Sequence, residues 1–100
     1  MHDDTTDTEH GFASLLPTSD GVDVAWLDGR GYTEGKGQTA LMMRRLGAAL
    51  GPEQVLDERT CDCCPTAATA DGATLIWRDR IGGEVRDMSV ASRADGFTPR

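Results

Sequence analysis

The clearest structural signal in the chain is the stretch Asp20-Gly21-Val22-Asp23-Val24-Ala25-Trp26-Leu27-Asp28, which recurs as Asp71-Gly72-Ala73-Thr74-Leu75-Ile76-Trp77-Arg78-Asp79. In both copies an Asp-Gly dipeptide is followed by a tryptophan and then an aspartate, and matching residues lie 51 positions apart. Self-similarity at a fixed period is typical of repeat architectures. The sequence therefore predicts two similar units, one on each side of Thr60-Cys61-Asp62-Cys63-Cys64-Pro65-Thr66.

Each unit is predicted to begin with a β-hairpin. In the first unit, strands over residues 12–16 and 22–27 flank a turn in which Gly21 is expected to supply a positive φ angle. Apolar residues alternate along the second strand, as in a half-buried strand. In the second unit, residues 66–69 and 74–78 flank the tight turn at Asp71-Gly72.

The segment after the first hairpin is ambiguous, because the apolar spacing of residues 39–50 also fits a helix that stops at Gly51-Pro52. Its counterpart in the repeat, residues 85–93, has the composition of a strand. We therefore predict a strand over residues 40–46, preceded by a flexible glycine-rich loop over 28–37 and followed by a short strand over 54–56. A fourth strand of the second unit is expected after Gly96.

The predicted fold class is all-β, with antiparallel four-stranded repeats that match the blades of a partial β-propeller. Residues 1–11 form an acidic N-terminal loop or tail, residues 12–60 a first blade, and residues 61–100 a second, truncated blade. A small β-sandwich of seven or eight strands is the alternative that regular turn spacing also favours.

The composition excludes several classes of partner. A formal charge of −7 over 100 residues argues against nucleic acid and anionic membranes, because both reward clustered Lys and Arg. No segment approaches the roughly 20 apolar residues of a membrane span, and the acidic start is unlike a signal peptide. No pattern in the sequence predicts a bound metal or cofactor.

Five segments carry a family resemblance: Thr8-Glu9-His10-Gly11-Phe12, Trp26-Leu27-Asp28-Gly29-Arg30, Cys61-Asp62-Cys63-Cys64-Pro65-Thr66, Trp77-Arg78-Asp79-Arg80 and Glu84-Val85-Arg86-Asp87. Together they resemble a bacterial group of sialidase-like, BNR-repeat β-propeller proteins that are labelled exo-α-sialidase. The resemblance implies an exported, periplasmic or extracellular, six-bladed protein. The chain would then be a fragment of about two blades, with the remaining blades of a longer chain as its partners.

Arginines and acidic residues near the ends of equivalent strands are the candidate site. Arg30, Arg78 and Arg80 each present a planar guanidinium that can grip a carboxylate such as that of sialic acid. Alternatively, each arginine pairs with its neighbour Asp28 or Asp79 and holds its own loop together. The candidate residues are Arg30, Arg80, Asp28 and Asp79 for catalysis, and Arg78, Glu84 and Arg86 for ligand binding.

The three cysteines, Cys61, Cys63 and Cys64, leave three alternatives open. In an exported protein Cys61 can form a disulfide with Cys64 across a turn. Buried free thiols are the second alternative, and a zinc site, which would need a fourth ligand, is the third. We predict a structural role for this cluster at the junction between the two units.

Two functions follow from these residues. The first is a binding or scaffold module that presents its loops to a glycan or a protein and is inactive alone. The second is part of a retaining glycosidase that acts on a sialic-acid-like sugar. The repeat favours the module, because residues present in both copies serve a need of each unit, whereas an active site is made once.

Overall fold

The structure is a computed structural model that describes residues 10–33, 38–60, 65–80 and 87–97. Within these ranges the chain is all-β, as predicted, and its strands form two antiparallel sheets. The three cysteines, Glu84 and Arg86 lie outside the described residues, as does most of the predicted N-terminal tail.

The first sheet is a meander of four strands in the order β1-β2-β3-β4. Every neighbouring pair in it is antiparallel. A single helical turn, α1 (Arg30–Thr33), lies between the second and third strands. The strands are β1 (His10–Pro17), β2 (Val22–Asp28), β3 (Thr39–Leu46) and β4 (Gln54–Thr60).

The second sheet repeats the first three strands of this order in shorter form. Its strands are β5 (Ala67–Ala68), β6 (Thr74–Arg78) and β7 (Met88–Ser92). A 3₁₀ turn over Arg93–Asp95 follows β7. Trp26 and Trp77 therefore occupy the same strand, the second, of their respective sheets.

The choice of a strand over a helix for the segment after the first hairpin is confirmed, because β3 pairs with β2 along its whole length. Leu41 and Met43 are buried on one face of this strand and Met42 on the other. A strand that is buried on both faces has a continuous apolar run, which imitates the spacing of a buried helix.

Two local predictions were wrong. Gly21 does not have a positive φ; it is needed because a Cβ atom there would overlap the carbonyl oxygen of Leu46. The loop that follows β2 is not irregular throughout, since α1 forms directly after Asp28, whose side chain accepts a hydrogen bond from the backbone N–H of Arg30 at 2.9 Å. An aspartate that bonds a backbone N–H two residues on favours such a turn.

The main hydrophobic core lies between the two sheets, in a small β-sandwich-like arrangement. Its members come from both sheets and from the segment after the 3₁₀ turn: Leu16, Ala25, Leu27, Leu41, Met43, Leu75, Trp77, Ala91 and Phe97. A smaller cluster of Val24, Trp26 and Met42 covers the opposite face of the first sheet. Burial of a large apolar side chain stabilises a fold by about 1.5–3 kcal/mol, so the core between the sheets is the larger contribution.

Polar contacts join the two sheets along their margins. Thr66 donates its hydroxyl hydrogen to the carbonyl oxygen of Phe12 at 2.6 Å, so Ser14 is the donor in the 2.6 Å hydrogen bond between the Ser14 and Thr66 hydroxyls. At another margin Thr60 and Asp79 form an isolated β-bridge. These bonds align the second sheet with the strands that it covers.

Gly72 is where the second hairpin touches the first sheet. Its φ angle is +73°, and a Cβ atom there would overlap the carbonyl oxygen of Pro17. We expect Gly72→Ala to lower the free energy of unfolding by at least about 3 kcal/mol, because backbone strain and a steric clash add together.

Gly96→Ala is the matched control, since Gly96 has a φ of +65° but a Cβ atom added there would have no neighbouring atom within 4 Å. Strain alone should cost this variant about 1 kcal/mol. Urea denaturation of both variants measures the difference. Equal losses of unfolding free energy in the two variants would show that the second hairpin does not pack against β1.

Candidate functional site

The predicted site residues fall into two separate clusters. Asp28 and Arg30 lie at the end of β2, where Asp28 bonds with Trp26 on the outer face of the first sheet. Asp79 and Arg80 directly follow β6, at the seam between the sheets. Arg78 is exposed on the far side of the second sheet. The predicted catalytic residues therefore come from different sheets, with Asp28 at the end of β2 and Asp79 directly after β6.

The first cluster is an ion-pair triad in which Arg30 bridges Asp28 and Glu53. Its Nε and Nη2 atoms donate to the two carboxylate oxygens of Asp28 at 2.9 and 2.8 Å. Its Nη1 and Nη2 atoms donate to those of Glu53 at 3.1 and 2.9 Å. Both edges of the guanidinium are therefore engaged by the chain's own carboxylates.

Asp28 is ionised although it is fully buried, with a relative exposure of 0%. Burial raises its pKa, but hydrogen bonds from Arg30 and from the indole N–H of Trp26, at 2.8 Å, outweigh burial and hold the pKa below its usual range. The same contacts raise the pKa of Arg30. Two groups held in their charged forms in this way form a stable ion pair and do not exchange protons near neutral pH.

The second cluster is a carboxyl pair formed by Asp57 of β4 and Asp79. The two side chains are hydrogen bonded to each other. The indole N–H of Trp77 and the backbone N–H of Arg59 also donate to Asp57, each at 3.0 Å. Ser89 donates its hydroxyl hydrogen to Asp79 at 3.0 Å. The pair thus connects the first sheet to two strands of the second.

Burial and the neighbouring carboxyl group of Asp79 raise the pKa of Asp57 to about 6. Two carboxylates in contact cannot both ionise easily, because their like charges repel in a partly desolvated place. Asp57 therefore holds its proton up to about pH 6. A carboxyl group that holds its proton to this pH can act as a general acid.

Asp57 is the residue that sequence reasoning missed. Strict alternation along β4 would place Asp57 on the same face as Val55, away from the second sheet. The register against β3 shifts by one residue between the pairs Leu41–Asp57 and Met42–Val55. This β-bulge turns Asp57 towards the seam, and no pattern in the sequence announces it.

A third charged cluster ties the opposite end of the sheets together. Asp23 of β2 accepts hydrogen bonds from Arg45 of β3 and, at 2.8 Å, from Arg93 of the second unit. Burial opposes ionisation of Asp23, but these two arginines lower its pKa overall. Arg93 also stacks over the ring of Phe97, 5.1 Å from its centroid. This cluster connects the two sheets, and the sequence analysis did not predict it.

Neither a metal site nor a membrane span is found in the part of the chain that the structure describes. No three His, Cys, Asp or Glu residues there lie close enough together to hold a metal ion. No helix among these residues is long and apolar enough to cross a membrane. The predicted cysteine cluster and the predicted ligand-binding roles of Glu84 and Arg86 stay predictions, because these residues lie outside the described ranges.

The carboxyl pair should make the fold less stable as the pH rises. The pKa of Asp57 in the folded state, about 6, exceeds the value of about 3.9 in an unfolded chain. Its contribution is therefore fully present below about pH 4 and is lost as the pH rises through 6. We expect a loss of about 1–2 kcal/mol between pH 4.5 and 7, since solvent screens part of the repulsion at this half-exposed pair.

Asp57→Asn should flatten this pH dependence, measured by urea denaturation at several pH values. Glu58→Gln, which removes an exposed carboxyl group from the adjacent position, should leave it intact. The carboxylates with lowered pKa values, such as Asp23 and Asp28, lose their contribution only as the pH falls towards or below 4. An unchanged slope in Asp57→Asn would contradict the raised pKa of Asp57.

Removing the guanidinium of Arg30 should destabilise the fold, because it leaves the buried carboxylate of Asp28 without its counter-ion. We expect Arg30→Ala to lower the free energy of unfolding by about 2–4 kcal/mol. Arg78→Ala is the control: its side chain is exposed, and the change should stay within about 0.5 kcal/mol. Similar, small effects of both substitutions would contradict a structural role for Arg30.

No protein-family model, curated protein or solved structure matches this chain. The likeness to sialidase-like propellers stays a prediction from the residues quoted above, and the function is argued from the geometry of the two clusters.

Proposed function

We propose that this chain is a non-catalytic binding or scaffold module, built from two blade-like sheets of a sialidase-like β-propeller, that engages a glycan or a protein. One observation carries the proposal: Asp28 and Arg30, two of the charged groups that a sialidase-like site would need free, are committed to contacts within the fold. Arg30 is the strongest case, since both edges of its guanidinium are occupied by Asp28 and Glu53.

The stacking of the two sheets supports the blade interpretation over a duplicated sandwich. Trp26 and Trp77 hold equivalent positions, yet Trp77 faces the first sheet whereas Trp26 faces away from the second. The front of one unit therefore covers the back of the other. Blades around a propeller axis stack in this front-to-back manner, whereas two units related by a twofold axis would bring equivalent faces together.

The separation of the predicted catalytic residues supports the absence of catalysis. Asp28 is buried, ionised and bonded to Arg30, so it has no proton to donate and no access to a substrate. Asp79 lies at the seam and is bonded to Asp57 and Ser89. A general acid or base must reach the reacting atoms within hydrogen-bond distance, and these two aspartates belong to different clusters.

The alternative function is a contribution to a retaining glycosidase that acts on a sialic-acid-like sugar. The observation that favours it is the Asp57–Asp79 pair, in which one carboxyl group keeps its proton to about pH 6. Glycosidases use two carboxyl groups with separated pKa values. In this chain the pair is in direct contact and holds two sheets together, which favours the structural role.

A fluorogenic sialoside assay over pH 4–8 tests the choice between these functions. We expect the chain to show no turnover above the uncatalysed rate, and the variants Asp79→Asn and Arg30→Ala to give the same baseline. Turnover that falls at least a hundredfold in Asp79→Asn, while the exposed control Leu50→Ala retains it, would overturn the module and support the glycosidase.

A further inference from the structure

A cavity beside the Asp23 cluster has no part in the proposed function. Its volume is about 310 Å³, and it lies between the first sheet and the segment that follows the 3₁₀ turn. Its lining includes Asp23, Met43, Arg45, Gln54, Arg93 and Phe97. We call it the arginine cavity.

The register of the first sheet explains why these side chains meet. Asp23 pairs with Arg45, and Gln54 pairs with Met43. Residues directly opposite each other in an antiparallel pair share a face, as do residues two apart in one strand. Met43 belongs to the core between the sheets, so all four residues lie on the inward face. Arg93 reaches this face from the second unit and bonds with Asp23 at 2.8 Å.

The arginine cavity is locally cationic. Asp23 is the one acidic residue among the described residues that line it, and it bonds with both Arg45 and Arg93. One carboxylate balances only one of these two guanidinium charges. Asp20 also approaches Arg45, at 3.3 Å, but its side chain is 76% exposed, and such a solvated pair contributes little. The chain carries a formal charge of −7, but charges farther away than about 8 Å are largely screened at physiological salt.

The two guanidiniums keep donor capacity for a ligand. Arg93 donates from Nε to the carbonyl oxygen of Gly72 at 3.1 Å and from Nη1 to Asp23. Its Nη2 atom is buried and has no hydrogen-bond partner among the described residues. A buried donor without an acceptor is unfavourable, and a bound ion is one way to satisfy it. The side chains of Arg45 and Arg93 are 41% and 35% exposed, so a ligand can reach them from solvent.

We propose that the arginine cavity binds the phosphate group of a small ligand. Arg45 of β3, Gln54 of β4 and Arg93 after β7 approach the cavity from three different elements. A phosphate group presents several oxygen atoms in different directions and forms strong charge-assisted hydrogen bonds with guanidinium groups. A carboxylate has two oxygen atoms in one plane, so it satisfies fewer of these donors. A phosphate monoester also carries a charge of about −1.5 to −2 at pH 7, which suits a cationic cavity.

This site is separate from the residues on which the proposed function rests. The predicted catalytic residues Asp28, Arg30, Asp79 and Arg80 do not line the arginine cavity. Phosphate binding is therefore compatible with either the module or the glycosidase. It is also measured without a sialoside, so it can fail or succeed independently of the proposed function.

Nuclear magnetic resonance of the isotope-labelled chain, titrated with inorganic phosphate at constant ionic strength, tests the proposal. A pH of about 7.5 keeps phosphate mainly dianionic. We expect the Nε–H resonances of Arg45 and Arg93 to shift and to saturate at about millimolar phosphate. Arg93→Gln should raise the Kd at least tenfold, because it removes a charge and several donors.

Arg59→Gln is the matched control. It removes a positive charge from β4, but Arg59 does not line the arginine cavity, so the Kd should not change. Arg93→Gln also removes a hydrogen bond to Asp23, and urea denaturation verifies that the variant is folded. Gln54→Ala is a second variant that keeps both arginines at an exposed position, and it should raise the Kd several-fold.

Three further probes define the ligand. Glucose 6-phosphate that binds more tightly than inorganic phosphate would identify a phosphate monoester as the ligand, whereas equal or weaker binding would identify free phosphate. Glucose alone should not bind. Shifts that never saturate, a Kd that is unchanged in both Arg93→Gln and Gln54→Ala, or acetate that binds as tightly as phosphate would each overturn the proposal.

Discussion

The structure depends on the packing of Leu75 and Trp77 against the inward face of the first sheet. Both residues are at most 1% exposed. They come from the central, five-residue strand of a sheet whose first strand has only two residues. With a first strand of two residues the second sheet is close to a two-stranded hairpin, which is at best marginally stable alone. The second sheet is therefore ordered by packing against the first sheet. The polar contacts at the margins join two sheets that this apolar packing has already positioned.

Those ties differ in their dependence on charge. Asp23 has two arginines as partners, so it is stable as an anion in its partly desolvated place. Asp57 has another carboxyl group instead, and it is stable only while the pair holds a proton. The two inter-sheet contacts consequently respond oppositely to acid: protonation breaks the Asp23 cluster and completes the Asp57–Asp79 pair. The docking of the sheets is most favourable where both conditions hold, above the lowered pKa of Asp23 and below about 6.

The repeat made the strands predictable, whereas the polar contacts were not. Asp-Gly turns and alternating apolar residues located β2 and β6 closely, and the counterpart segment correctly favoured a strand for β3 despite its helical spacing. The sequence also indicated the pairing of Arg30 with Asp28. It did not reveal Glu53 as the second partner of Arg30. It also did not reveal Asp57, because a one-residue shift in register reverses the direction of a side chain without changing the composition of the strand. Bulges arise from the fit between strands, which is a tertiary property.

The two equivalent tryptophans pack at the same position of their sheets but donate to different hydrogen-bond acceptors. Trp26 donates its indole N–H to Asp28 of its own strand, whereas Trp77 donates to Asp57 of the other sheet. The aspartate equivalent to Asp28, Asp79, is left to bond with Asp57 and Ser89. A buried indole needs an acceptor, and the two units meet this need in different ways. The repeated residues therefore specify where a ring packs, and the polar partner is chosen by what the neighbouring sheet presents. The acceptor of the Trp77 indole N–H, Asp57, belongs to the first sheet. Trp77 therefore has this partner only because the two sheets stack on each other.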